Sequence, residues 1–407
     1  MSIPVTDSAS WGNQARADAP ASDIPFIPLS IPSITDHEIA YVTDAVTSGF
    51  VSSVGPYVEK FEQRFADLVG AKYAVACSSG TAALHLAFAV LDIPRGAQVA
   101  VSDFTFVGSV NPIAYVGAQP LLVDSEQDTW CLDQDLLIEE MERRLSTGQA
   151  LPAAVEPVHI LGQPARIDRL VEFCAAHGVP VVEDAAESLG AFWSQGSFAG
   201  RHTGTVGTVG AFSFNGNKMA TAGGGGMVVT DDAALAQRAK HLSTQAKVPD
   251  IGYLHDEVGY NYRLTNIAAA LGIAQIERLE EIKAKRAHVA GRYDAAFAGT
   301  GMVTPPRLEG LDATYWLYSV LVPESYGHSG RDDLWKHLGD YKIGSRPLWR
   351  PLHMQPPWAD MPRLGGAVAK DIFQRGLSLP CSFDLTDSEQ DRVIEAVLAF
   401  DRTRSGA

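Results

Sequence analysis

Val209-Gly210-Ala211-Phe212-Ser213-Phe214-Asn215-Gly216-Asn217-Lys218-Met219-Ala220-Thr221-Ala222-Gly223-Gly224-Gly225-Gly226-Met227-Val228-Val229-Thr230 is the stretch on which the reading of the fold turns. It reads as an apolar strand, one lysine, a run of glycines and a second apolar strand that closes on Thr230-Asp231-Asp232. Lysine is almost never fully buried without a partner, so Lys218 between two buried segments needs a use for its amine. An amine is a nucleophile only when deprotonated, and partial burial disfavours the charged form, which suits Schiff-base formation with an aldehyde cofactor. The glycines clear side chains away and leave room for a flat ring. A hairpin whose lysine reaches out to solvent fits the same residues, so the flanking segments have to decide.

On the N-terminal side the chain repeats short apolar strand, turn and helix. Strands are expected at Tyr73–Cys77, Gln98–Ser102, Gln119–Val123, 154–158, 179–183, 209–214 and Gly226–Thr230, with helices near 81–91, 107–116, 134–144 and 167–177. Near-continuous apolar strands alternating with helices imply an α/β fold with a mostly parallel seven-stranded sheet between helices. Before them, Thr35-Asp36-His37-Glu38 is a capping box for a helix to about Thr47. A second helix, Pro56–Val69, carries Val58, Phe61, Phe65 and Leu68 on a helical period and stops at Gly70. On the C-terminal side the rhythm changes. A helical stretch from 265 to about 298 leads to a strand near 316–322 and a helix near 331–338. A Pro- and Trp-rich loop at 346–362 follows, and then a last helix from the capping box Thr386-Asp387-Ser388-Glu389 to Phe400. The expected division is a loose tail at 1–24, a cofactor-binding large domain at 25–255 and a smaller α+β domain at 256–407.

Ligands of such sheets bind beyond the carboxyl ends of the strands. After the first strand, Ser78-Ser79-Gly80-Thr81 offers several N–H groups at a helix N-terminus, which suits a phosphate, although an ordinary N-cap needs only one such residue. After the second, Phe106 of Asp103-Phe104-Thr105-Phe106 stands where a planar ring could stack, or where a core aromatic could pack. After the fifth comes Glu183-Asp184-Ala185-Ala186-Glu187-Ser188, and acids closing a buried strand need a positive partner. A protonated pyridine nitrogen is one; a helix cap or a metal are others, though the metal lacks companion His or Cys residues. Ser213, at the end of its own strand, can give its hydroxyl to the same phosphate as Gly80 and Thr81. A phosphate cup, a stacking ring, a pyridinium partner and a Schiff-base lysine follow one another in the order that a pyridoxal phosphate site would have.

The chain is 407 residues long with 46% hydrophobic content, and its mean hydropathy is near zero. That is enough for two cores and too polar for a membrane protein, and no run of 18 apolar residues occurs. The first 23 residues have Arg16 as their only basic side chain and no apolar core of a signal peptide. Cys77, Cys131, Cys174 and Cys381 are scattered without metal-ligand spacing, as expected of reduced, buried thiols in a cytoplasmic protein. A net charge of −16 argues against a nucleic-acid partner but not against a small anion held by local groups.

From about Ile27 to Phe400 the chain resembles the fold-type I pyridoxal phosphate enzymes and, within them, the DegT/DnrJ/EryC1/StrS nucleotide-sugar aminotransferases. The resemblance is carried by Ser79-Gly80-Thr81-Ala82-Ala83-Leu84-His85, Thr105-Phe106-Val107, Val158-His159 with Gly162-Gln163-Pro164, Glu183-Asp184-Ala185-Ala186-Glu187, Ser213-Phe214-Asn215-Gly216-Asn217-Lys218, Gly224-Gly225-Gly226-Met227 and Gly259-Tyr260-Asn261-Tyr262-Arg263-Leu264-Thr265-Asn266. It implies that Lys218 forms the Schiff base with the cofactor and then acts as base and acid in the proton shift. Asp184 would hold the pyridine N–H and Glu187 would reach the ring 3′-oxygen. Phe106 would stack on the ring, and Gly80, Thr81 and Ser213 would hold the phosphate. Asn261 resembles the position that reaches the phosphate of a neighbouring subunit, which implies a homodimer with shared sites.

Gly223-Gly224 stands where many members have Gly-Glu, and Glu187 where Gln or His is frequent. Both variants resemble a subgroup acting on 4-keto-6-deoxy sugars, and Ser345 to Pro356 is similar to the UDP-N-acetylbacillosamine-type enzymes. Arg346, Trp349 and His353 are then candidates for substrate contacts, unless the loop is only a Pro-stiffened connection. His159 either lines the site or is a satisfied core histidine. The resemblance implies transfer of an amino group from glutamate to C4 of a UDP-linked 4-keto-6-deoxy-N-acetylhexosamine. The alternatives are a GDP-linked 4-keto-6-deoxymannose or a dTDP-linked keto sugar and, from another class, a non-catalytic nucleotide-sugar sensor. A dehydratase of the same fold would replace Lys218 by histidine, and a dinucleotide enzyme would need a GxGxxG motif after its first strand.

Overall fold

Apolar segments bounded by turns pair into strands because both of their faces can be covered. In the computed structural model, which describes residues 24–249 and 252–405, they form β1 (Tyr73–Cys77), β2 (Gln98–Ser102), β3 (Gln119–Val123), β4 (Ala154–Glu156), β5 (Val182–Asp184), β6 (Phe192–Trp193), β7 (Val209–Ser213) and β8 (Gly226–Thr230). The sheet runs β1-β8-β7-β5-β4-β2-β3, with the parallel bridges Val155↔Val181 and Val158↔Asp184 joining its two halves. Within it β8 is antiparallel to both of its neighbours, and the other pairings are parallel. The expected α/β architecture is the observed one. β6 lies outside this sheet and pairs with Leu311–Asp312.

One face of the sheet packs on Phe61 and Phe65, which meet Phe214 and Phe212 edge-on with ring centroids 5.0 Å apart. The other face, with Val99, Val101, Val182 and Val228, lies under the apolar helix Gly80–Val90. Prolines trim two strands relative to expectation. β4 stops at Glu156, before Pro157, and β5 begins only at Val182, because Pro180 has no N–H for the ladder.

The helical stretch expected to run unbroken from 265 to 298 is two helices, Asn266–Glu277 and Leu279–Phe297. Arg278 between them leaves the helical ladder at φ −105°, ψ 10°, and its guanidinium holds Glu38 Oε1 at 2.8 Å and Ser33 Oγ at 3.1 Å. A Cβ on Gly272 would lie 2.7 Å from the Phe61 ring, so the first of these helices approaches the large-domain core closely, although it lies beyond residue 256. Conversely, Ile27 is buried among small-domain residues and bridges Ile343. Sequence reading stopped at Thr230-Asp231-Asp232; the structure continues with helix Ala233–Ser243, whose first N–H groups Asp232 Oδ1 accepts from Ala234 and Leu235.

The region expected to be the smaller domain builds an antiparallel sheet from Tyr318–Leu321, Gly376–Leu379 and Arg346–Pro347. The last of these strands opens the region read as a loop at 346–362, and helix Ala367–Arg375 was likewise absent from that reading. Arg363–Leu364 crosses back to lie parallel on β3. All four cysteines are buried and unpaired. Among the described residues no helix is long and apolar enough to cross a membrane. Apart from Ile24, the stretch expected to be a tail lies outside the described residues.

Candidate active site

β7 ends on Ser213, after which the chain turns so that Lys218 N–H donates to the Asn215 carbonyl at 3.0 Å and Ala222 N–H to the Phe214 carbonyl at 2.9 Å. Gly223 at φ 77° and Gly225 at φ 148° occupy conformations that a side chain would strain. Gly226 begins β8 with no room for a Cβ, which would sit 2.2 Å from the Ser79 carbonyl oxygen, and a Cβ on Gly80 would sit 2.7 Å from Ser213 Cβ. The glycines thus let the lysine-bearing turn press against the N-terminus of helix Gly80–Val90, where Ser79 Oγ accepts from Ala82 N–H at 3.1 Å. These groups open onto a cavity of about 830 Å³.

Asp184 lines that cavity while only 4% exposed. Its Oδ2 accepts from Ser109 Oγ at 2.7 Å, its Oδ1 accepts from Ala186 N–H at 3.0 Å, and Ser109 in turn meets Thr105 Oγ1 at 2.8 Å. Near it, Glu156 is wholly buried with both carboxylate oxygens unpartnered. Burial, reinforced by Asp184, pushes the Glu156 carboxyl well above the usual range.

Lys218 Nζ reaches into the cavity between two groups. Glu187 Oε1 is 3.6 Å away, and the Trp316 ring centroid is 3.8 Å away. Glu187 Oε2 accepts from Leu161 N–H at 2.7 Å. Burial pushes the Glu187 carboxyl up to about 7 against the pull of Lys218 and the Leu161 N–H. The indole N–H of Trp316 donates to the Asn217 carbonyl at 2.5 Å, so this small-domain side chain touches both the lysine and its turn.

Gly80, Thr81, Phe106, Asp184, Glu187, Ser213 and Lys218, chosen from sequence, therefore line one cavity, and Arg346 and Trp349 join them from the small domain. His353 does not line it. Its N–H donates to Asp103 Oδ1 at 2.9 Å and its Nδ1 lies 2.5 Å from Asp103 Oδ2, so instead of facing a substrate it ties the loop to the large domain. Asn261 is exposed beside Thr244, outside the cavity of its own chain. His159 is a core histidine. Its ring bonds Glu183 at 2.9 Å and the Ala165 N–H at 3.0 Å. Glu183 is thereby satisfied, together with N–H groups of Gly204, Val206 and Gly207, and only Asp184 of the acidic pair faces the cavity.

Sequence reading missed Ser109 and Trp316. Ser109 stands in the first turn of helix Val107–Tyr115 and Thr105 just before its N-cap, Phe106, so the start of that helix brings the two hydroxyls together. Trp316 was read as part of a strand, and no local signal marks its contact with a turn 99 residues away.

The residues fit a phosphorylated pyridine aldehyde: neutral donors at a helix N-terminus, a carboxylate held at the floor and an amine in reach. Fold and site together define a pyridoxal phosphate-dependent enzyme of the aminotransferase type. The chain belongs to the DegT/DnrJ/EryC1/StrS aminotransferase family, whose model matches residues 32–398. It is 41% identical over 377 residues to "Putative pyridoxal phosphate-dependent aminotransferase EpsN" of Bacillus subtilis (strain 168), covering 91% of this chain and 94% of that one. It is 38% identical over 379 residues to GDP-perosamine synthase of Caulobacter vibrioides, covering 92% and 98%. A crystal structure of a DegT DnrJ EryC1 StrS aminotransferase from Brucella abortus matches with a TM-score of 0.83 at 28% identity, covering 90% of this chain and 95% of that one. The protein is a pyridoxal phosphate-dependent sugar aminotransferase.

Proposed function

We propose that the protein moves an amino group from glutamate to C4 of a nucleotide-linked 4-keto-6-deoxy sugar. The observation that carries this reading is the meeting of the Lys218 amine, the Asp184 carboxylate and the Gly80–Thr81 helix terminus on one cavity of about 830 Å³. That volume falls in the range of pockets that enclose a ligand.

When bound, pyridoxal phosphate supplies an electron sink at the carbon that gains or loses the amino group. Ser79, Gly80, Thr81 and Ser213 would hold its phosphate with N–H and hydroxyl donors, and Asp184 would keep the proton on its ring nitrogen. Phe106 would cover one ring face. Lys218 Nζ would take the proton from the donor's carbon and return it at the neighbouring position, then repeat this in reverse on the acceptor. Besides Lys218, Arg346 is the one cation among the described cavity residues. It would meet the anionic groups of both substrates in turn, the carboxylates of the donor and the diphosphate of the acceptor.

Ser345 to Pro356 led to a uridine nucleotide as the first expectation. The relative named GDP-perosamine synthase, matched along nearly its whole length, supports a GDP-linked 4-keto-6-deoxymannose instead. We put the GDP-linked sugar first and the UDP-linked N-acetyl sugar second. Glutamate with a panel of GDP-, UDP- and dTDP-linked keto sugars tests this. An amino sugar forming fastest from the GDP substrate supports the first reading, and a preference for UDP restores the second. No transfer to any of them, despite cofactor bound at Lys218, overturns both. A homodimer with Asn261 completing the partner's phosphate site belongs to the same proposal. Sedimentation checks the dimer, and a loss of cofactor affinity in Asn261→Ala checks the shared site.

A further inference from the structure

We propose that Glu187 is a proton-exchange group for Lys218: its Oε1 takes a proton from the ammonium and returns it to the amine as Lys218 passes between its free and covalently engaged states. The proposal rests on the reading of Lys218 above and goes beyond it, since a contact from Glu187 to the ring would require no proton movement.

The geometry assigns the two carboxylate oxygens separate tasks. Oε2 is fixed by the Leu161 N–H at 2.7 Å, and Leu161 holds that donor from φ 56°, ψ 16°. A branched side chain is disfavoured in this left-handed conformation, so the donor is aimed at the expense of local strain. Oε1 is left toward Nζ at 3.6 Å. On its other side the amine meets the Trp316 ring face at 3.8 Å, which attracts a cation but cannot accept its proton. Among the described residues Glu187 is the only carboxylate within 4 Å of that amine. A glutamine at this position could reach the same atoms but could never carry the proton.

The titratable groups around Glu187 come from four elements. Lys218 on its turn and the Leu161 N–H pull the carboxyl toward ionisation, while Asp184 on β5 adds to the push of burial, which brings it up to about 7. Cys131 faces it from the preceding loop with a thiol that burial pushes up to about 12 and so keeps neutral. Arg346 stands on the small-domain wall of the same cavity. A group that changes charge near neutrality suits proton exchange at working pH.

Capture of pyridoxal phosphate by apoprotein, followed by absorbance at pH values on either side of 7, tests the proposal without any turnover. Wild type should show an inflection in capture rate near pH 7. Glu187→Gln should lose the inflection and capture about tenfold more slowly or worse, and Glu187→Asp should restore a titration. Melting of the apoproteins is the control for folding. The folded carboxyl keeps its proton to about pH 7 while the unfolded one releases it near 4.5, so wild type should lose stability between those values and Glu187→Gln should not. A folded Gln variant with the wild-type capture profile overturns the proposal. Failure of wild type to take the cofactor at Lys218 overturns the functional reading instead.

Discussion

The two walls of the cavity hold their side chains by different means. On the large-domain wall, Ser213, Asp184 and the Gly80–Thr81 terminus sit at or just beyond the ends of hydrogen-bonded strands, so the backbone ladder fixes them to within a residue or two. On the small-domain wall, Arg346 lies on a two-residue edge strand and Trp316 and Trp349 on irregular chain beside the small sheet, and distant ties help to hold these segments in place. His353 is anchored to Asp103 across 250 residues of sequence. Asp124 accepts from the N–H groups of Gly366, Val368 and Ala369 at 2.6, 3.2 and 2.8 Å, capping a small-domain helix from the large domain. The first wall is suited to holding reacting atoms at fixed positions. The second is suited to recognition, because its loops can vary without disturbing the sheet.

The comparison predicts that substitutions on the first wall slow the chemistry and those on the second weaken binding. Lys218→Ala is the most severe. Turnover should fall by at least about a thousandfold with the melting temperature little changed, and borohydride should no longer fix cofactor to the protein. Labelling at some other lysine in wild type would break the scheme at its base. Asp184→Asn should come next. It retains a group for Ser109 to bond but removes the charge that holds a ring proton, so kcat should fall by about a hundredfold, as when one preorganised stabilising group is lost. An effect confined to KM would erase the distinction between the walls.

How much of each wall was legible in the sequence follows from the same contrast. Lys218, Asp184, Ser213 and Gly80 could be read because strand, turn and glycine signals lie within a few residues of each. The helix break at Arg278 could not, since what engages Arg278 is Glu38 at the other end of the chain. For the same reason His353 looked like a ligand contact. A histidine in a Pro-rich loop has no local mark of its partner, and Asp103 was visible only as the residue before an aromatic run. Trp316 was read as a strand residue although its ring ends against the Lys218 amine. Of the adjacent acids, alternation along β5 turns Asp184 toward the cavity and Glu183 toward His159; the strand-end residues by themselves gave only the acidic cluster, and the family resemblance singled out Asp184.

Arg346→Ala should separate recognition from chemistry. If this side chain meets the anions of both substrates, KM for glutamate and for the nucleotide sugar should each rise about tenfold with kcat nearly constant. A rise for one substrate alone would restrict Arg346 to that half of the cycle.

The smallest effect is expected at Asp124, which lies on the large domain yet serves the other wall. Asp124→Ala removes the acceptor for three N–H groups at the start of helix Ala367–Arg375. Loss of a helix cap costs about 1–2 kcal/mol, which should lower the melting temperature by a few degrees. The consequence for function should fall only on the loop between Arg346 and that helix. KM for the nucleotide sugar should rise a few-fold, while the rate of cofactor capture at Lys218 stays at the wild-type value. If capture slows as well, the two walls are mechanically one. If neither changes, the pairing of Arg363–Leu364 with β3 and the His353–Asp103 contact hold the loop without Asp124.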